Sequence, residues 1–134
     1  MLQVYTLRDK NRVSVVFIMV FILALTGGCD FISGIFSKTP ALNAHQTEVH
    51  SGDKITVEFS GIQKPALQDW ISIYRVETPN EKYGEWYYLN SQSKGVLVFT
   101  APGETGEYEF RLFLNWPQGG YTDVARSKVV KVIK

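Results

Sequence analysis

A chain of 134 residues with 14 Lys and Arg against 13 Asp and Glu carries a formal charge of +1, so it presents no strong field of either sign. That balance excludes an electrostatic grip on nucleic acid, which needs a basic face. The single cysteine excludes an intramolecular disulfide, so any exported domain must stand on its hydrophobic core.

The chain opens on a positive flank, Arg8, Lys10 and Arg12 against Asp9. Val13 to Leu25 follows, an apolar run of 13 residues in which Ser14 is the only polar side chain. A helix crossing hydrocarbon needs about 20 such residues, whereas a signal-peptide core has roughly 7 to 15. The run therefore predicts a signal helix and export. Small residues, Thr26, Gly27 and Gly28, then lead directly to Cys29.

The stretch Leu25-Thr26-Gly27-Gly28-Cys29 resembles a bacterial lipobox, with Thr26 where leucine is commoner. The resemblance implies cleavage between Gly28 and Cys29, diacylglycerol on the Cys29 thiol, and the membrane as a partner through that lipid. An uncleaved anchor continuing through Phe31, Ile32, Ile35 and Phe36 is the alternative, with plain secretion a third. Asp30 weighs against the anchor, because a carboxylate at membrane depth costs about 2.5 to 3.5 kcal/mol even on insertion scales. Gly27 and Gly28 weaken a helix at the same place. Asp beside the lipidated cysteine also resembles the inner-membrane retention signal of enteric-type lipoproteins. The expected location is thus the cell envelope, facing the periplasm or exterior, with Asp30 favouring the inner membrane.

Removing residues 1–28 leaves enough chain for one domain and not for two. The leader takes three of the 14 basic and one of the 13 acidic residues, so the remainder carries a formal charge of −1. Residues 29–46 show no clean period, Pro40 interrupts them, and they read as a lipidated tether. Phe31, Ile32, Ile35 and Phe36 offer the other reading, a short amphipathic turn on the membrane. Residues 47–134 are expected to be the globular domain.

Within that domain Ile55, Val57 and Phe59 alternate with Lys54, Thr56 and Glu58, a half-buried strand. Gly61 to Gln68 is a loop. Trp70 to Val76 is a second strand with bulk on both faces, hence central: Trp70, Ser72 and Tyr74 on one side, Ile71 and Ile73 on the other. Further strands are expected over Trp86 to Leu89, Val96 to Thr100, and Val124 to Ile133. Seven or so short strands parted by turn signals predict an antiparallel β-sandwich.

Glu104-Thr105-Gly106-Glu107-Tyr108-Glu109-Phe110 resembles the tyrosine corner of immunoglobulin-like sandwiches, in which the Tyr hydroxyl bonds back to the backbone. Phe110 stands where that fold has a disulfide cysteine. The resemblance implies that Val57 opposes Phe110 across the core and that Trp70, 13 residues after Val57, is the buried tryptophan beside them. It also implies that Tyr108, Phe110 and Leu112 face inward and Glu107, Glu109 and Arg111 outward. Asp69-Trp70-Ile71-x-Ile73-Tyr74, Gly106-x-Tyr108-Glu109-x-Arg111-Leu112-Phe113 and Ala125-Arg126-Ser127 are similar to SKICH-type domains and to sandwich modules of bacterial surface proteins. The expected class is all-β, an immunoglobulin-like sandwich behind a signal helix and a flexible tether.

No motif supports catalysis, and no cofactor or metal is expected. His45 and His50 read as solvent-exposed, and Glu104, Glu107 and Glu109 as surface and turn residues. Binding is the better expectation. Asn115 to Tyr121 occupies the position of a recognition loop, and Trp116 and Tyr121 offer large contact area at small entropic cost; the bland reading is that Trp116 folds back to cap the sandwich. Tyr83, Trp86, Tyr87 and Tyr88 form a second aromatic cluster, where Trp86, Tyr87 and Tyr88 are candidates for stacking on a sugar. Three functions follow: binding of another envelope protein through the loop end, carbohydrate binding, or service as accessory or inhibitor subunit of an envelope enzyme.

Overall fold

In the computed structural model, which describes residues 38–134, every regular element is a strand. The expected signal helix, the cleavage site at Gly28, the lipid site at Cys29, Asp30 and the start of the tether lie outside the described residues.

The strands are β1 (Ala41–Ala44), β2 (Glu48–His50), β3 (Lys54–Ser60), β4 (Trp70–Arg75), β5 (Trp86–Tyr88), β6 (Gly95–Thr100), β7 (Gly106–Phe113), β8 (Asp123–Arg126) and β9 (Val130–Ile133). They form two curled sheets, one ordered β1-β3-β6 and the other β2-β9-β7-β4-β5, with β8 also paired to β7. All pairings are antiparallel except β2 with β9.

Residues expected in the tether are partly strand. β1 aligns Leu42 with Phe59 and Ala44 with Val57, burying Leu42 and Ala44 against the core. Its alternation is only four residues long and follows a proline, too little to outweigh an irregular neighbourhood. Between β1 and β2 the chain changes sheets, held by His45 N donating to the Thr56 carbonyl and by Thr56 N donating to the Gln46 side chain, both at 2.9 Å.

The core lies where the two sheets meet. β3 turns Ile55, Val57 and Phe59 inward with Thr56 and Glu58 on the other face, as its period of two requires. Ile71 and Ile73 of β4, Phe110 and Leu112 of β7, and Val130 and Val132 of β9 meet them from the second sheet. Phe99 and Phe110 bridge the layers with ring centroids 4.8 Å apart. Each such side chain contributes about 1.5 to 3 kcal/mol on leaving water.

Tyr108 behaves as the corner motif implies, its hydroxyl donating to the Glu104 carbonyl at 2.9 Å. Val57 and Phe110 share the core, but Trp70 does not join them. Register places Trp70 beside Tyr88 and Phe113, on the opposite face of the second sheet. Ile71 and Ile73 fill the inner layer instead, because β4 alternates and the aliphatic pair already faces inward. The expected outward set of β7 also needs correction. Glu109 and Arg111 do point away from the core, yet both are buried beneath covering segments. Finally, the expected single strand from Val124 to Ile133 is two. Ser127 divides it by donating its N–H to the Phe110 carbonyl and accepting Phe110 N–H at its hydroxyl, both at 2.9 Å.

Candidate functional site

The outer face of the second sheet carries a layer of aromatic side chains that the inner core does not use. Side by side across β5, β4 and β7 stand Tyr88, Trp70 and Phe113, and in the next row Trp86, Ser72 and Arg111. Trp70 stacks on Phe113, with centroids 4.3 Å apart and planes 17° from parallel. Four further rings stand nearly upright to Trp70: Tyr83 at 5.4 Å, Trp116 at 6.1 Å, and Trp86 and Tyr121 each at 6.3 Å. Such edge-to-face contacts match the positive rim of one ring to the negative face of another. Trp70, Tyr83, Trp86, Tyr88, Trp116 and Tyr121 line an open cavity of about 80 Å³. The Trp70 indole N–H is buried and has no hydrogen-bond partner among the described residues.

Two covering segments supply three of the upright rings, Tyr83, Trp116 and Tyr121, while Trp86 stands on β5, and Asn80 ties the segments together. Asn80 lies between β4 and β5, and its amide donates to the Tyr121 carbonyl and to Asp123 Oδ1, each at 2.8 Å. Its own carbonyl accepts the Tyr74 hydroxyl at 2.8 Å. Arg111 rises from the sheet beneath it, donating to the Asn80 side-chain oxygen and the Thr78 carbonyl, both at 2.6 Å. The guanidinium lies 4.3 Å over the Tyr74 ring and is neutralised by Glu109 at 2.7 Å. Glu109 also receives Arg126 at 3.0 Å, and Arg126 reaches Asp123 at 2.7 Å. A buried charge survives only when paired in this way. The Arg126 hydrogen bond, helped by Asn80, holds the Asp123 carboxyl down at about 2 despite its partial loss of hydration. Burial pushes the Tyr74 phenol well above its ordinary value, with Arg111 partly offsetting it.

Asp69 anchors the other end of the covering loop. It is fully buried, and its two carboxylate oxygens accept Ala66 N–H at 2.7 Å and Asn115 N–H at 2.8 Å. Beyond Asn115 the chain turns sharply, Gly119 N–H donating to the Asn115 carbonyl at 2.7 Å. A Cβ on Gly119 would strike the Leu114 carbonyl, so the turn that presents Trp116 and Tyr121 requires glycine.

No family model matches the chain. Over 93 residues it is 27% identical to a protein described as probable inactive purple acid phosphatase 9 of Arabidopsis thaliana. The match takes in 65% of this chain and 14% of that protein, so the chain spans a small part of its relative's length.

The two aromatic sets expected from the sequence as separate candidates, Trp116 with Tyr121 and Trp86 with Tyr88, line one cavity. Trp116 folds back over the sheet to wall it, half-buried, with its ring 5.1 Å from Tyr121. Tyr87 does not belong to it. It alternates to the inner side, where its ring meets Phe99 at 5.1 Å and its hydroxyl bonds Glu85. His45 and His50 are exposed, as expected, and approach single carboxylates, Glu58 at 3.4 Å and Asp53 at 3.5 Å. Among the described residues no three His, Cys, Asp or Glu side chains come together. Sequence reasoning missed Trp70 as the floor and Asn80 and Arg111 as the ties. The available signal was Arg111 alternating in phase with Trp70, Ser72 and Tyr74 on strands whose other face was already apolar.

Proposed function

We propose that the protein is an envelope lipoprotein held by lipid on Cys29, and that its domain is a non-catalytic binding module of the immunoglobulin-like sandwich kind. The strand order, the parallel pairing of β2 with β9 and the Tyr108 corner support that form of sandwich. The outer aromatic pocket is the binding site, and one observation carries this: six aromatic side chains from separate parts of the chain converge on a cavity that stays open. The relative's description as inactive, and the lack of a nucleophile paired with a base in the pocket walls, favour binding over catalysis.

The partner in this reading is another envelope protein, contacted at the loop end where Trp116 and Tyr121 sit. Co-purification from membranes tests it. The double variant Trp116→Ala/Tyr121→Ala loses the partner while circular dichroism stays unchanged; retention of every partner would remove the site. Mass spectrometry of membrane-extracted protein, beside Cys29→Ala, tests the anchor. Carbohydrate binding is the second reading, favoured by Trp86, which is 42% exposed on the edge strand next to Tyr88. A glycan array separates the two.

A further inference from the structure

The binding reading names a partner but not the chemical group that enters the pocket, and the pocket's shape and chemistry narrow that group. Sugar-stacking sites are flat platforms with polar groups beside them that capture hydroxyls. Here the rings around Trp70 stand at 75° to 83° to it and enclose a space instead of spreading one surface. The side-chain polar groups of the lining are the phenols of Tyr83, Tyr88 and Tyr121 and the indole N–H groups, and a ligand rich in hydroxyls carries more donors and acceptors than these can partner. The cavity of about 80 Å³ is also far below the roughly 300 Å³ at which pockets for drug-sized ligands begin, so a small, rounded head fits it and an extended chain does not.

Aromatic faces are negative, and a cation enclosed by several of them is attracted by all. Nothing positive competes inside: Arg111, on the same face of β7, is taken up by Glu109, Asn80, Thr78 and the Tyr74 ring. Loss of hydration, the neighbouring Tyr83 phenol and Glu81 all push the Tyr121 phenol above its ordinary value, so that wall stays neutral at physiological pH.

Resting on the pocket as binding site, we propose that Trp70, Tyr83, Trp86, Tyr88, Trp116 and Tyr121 form an aromatic cage for a quaternary ammonium group of the choline type. A trimethylammonium head is compact, cationic and needs no hydrogen-bond acceptor. A primary ammonium carries three donors, is more strongly hydrated, and gives up more on leaving water.

The test uses full-length protein in a detergent without choline, titrated while tryptophan fluorescence is read. The probes are choline chloride and 3,3-dimethylbutan-1-ol, which has the same shape with carbon in place of the charged nitrogen. Choline is expected to bind at least about tenfold more tightly, the factor one desolvated cation–π contact produces. Equal affinity for the two probes, or no saturable response to choline, overturns the proposal. Trp116→Ala abolishes the choline response.

Glycerophosphocholine separates the sources. Tighter binding than choline marks a lipid headgroup, and equal or weaker binding marks the free small molecule. Response to a trimethyllysine peptide with none to choline would overturn the choline-type occupant. If choline fails while a glycan or an envelope protein still perturbs Trp116, the cage proposal falls and the binding reading stands; if none perturbs it, both fall.

Discussion

The two faces of the second sheet are built by the same strands and solve burial differently. Inward, Ile71, Ile73, Phe110 and Leu112 meet the other sheet and leave almost no exposed surface. Outward, Trp70, Ser72, Tyr74, Glu109, Arg111 and Phe113 are also buried, but the cover is two irregular segments, not a sheet. A sheet brings its own closed ladder of hydrogen bonds to an interface, whereas loops carry backbone groups that need partners. The outer layer therefore contains Asn80, Arg111 and Asp69, which bind loop to sheet, and Glu109, which neutralises Arg111, and it closes incompletely. That incomplete closure is the pocket. Rigid scaffold beneath and adaptable cover above is the arrangement in which binding sites are commonly found.

Breaking the inner face should cost most. Phe110→Ala removes a ring that bridges the layers, and denaturant unfolding should show a loss of about 3 to 5 kcal/mol. Ligand binding to whatever remains folded is expected to change little, since the outer layer is separate. Breaking the outer face comes next. Arg111→Ala leaves the buried Glu109 with Arg126 alone and frees Thr78 and Asn80, and is expected to destabilise by about 2 to 3 kcal/mol. Unlike Phe110→Ala it should also change the near-ultraviolet dichroism of the tryptophans in the residual native state; identical spectra for the two variants would refute the separation of faces.

Asp69→Ala sharpens the same contrast from the far end of the cover. Two backbone N–H groups lose their acceptor, an expected cost of about 2 kcal/mol, with faster hydrogen exchange at Asn115 than in β3 or β6. The smallest effect is a pH dependence. Asp123, with its folded value lowered to about 2, stabilises the native state above the ordinary carboxylate range. That contribution is lost as pH falls from about 4 towards 2. Because Arg126 is largely solvent-accessible, screening limits the effect to about 1 kcal/mol. Asp123→Asn should flatten this acid limb, and an unchanged acid titration of stability would show the ion pair to be idle.

Much of the fold was legible. Lys54–Ser60, with its clear period of two, appears where alternation places it, Gly106–Phe113 where the corner resemblance implies a strand, and bulk on both sides of Trp70–Arg75 marked it as central. The Tyr108 corner was readable because it is local, a hydroxyl reaching a carbonyl four residues away. β1 was not, since four residues after a proline acquire strand geometry only from the partner strand they join. The site was half legible: aromatic residues stood out in two clusters, yet nothing local relates residue 86 to residue 116.

Composition and pattern alone thus determined an all-β domain, its central strands and which residues alternate together, because these depend on neighbours in sequence. Tertiary structure decided which face of β4 became the common core and which became the floor of a pocket, because both faces are apolar enough for either role. It also brought Trp86, Trp116 and Tyr121 around Trp70, through Asn80 and Arg111, whose partners lie some 30 to 40 residues away in the chain. Distance in sequence hides such ties, since a side chain advertises its polarity locally but finds its partner only when the sheet is assembled.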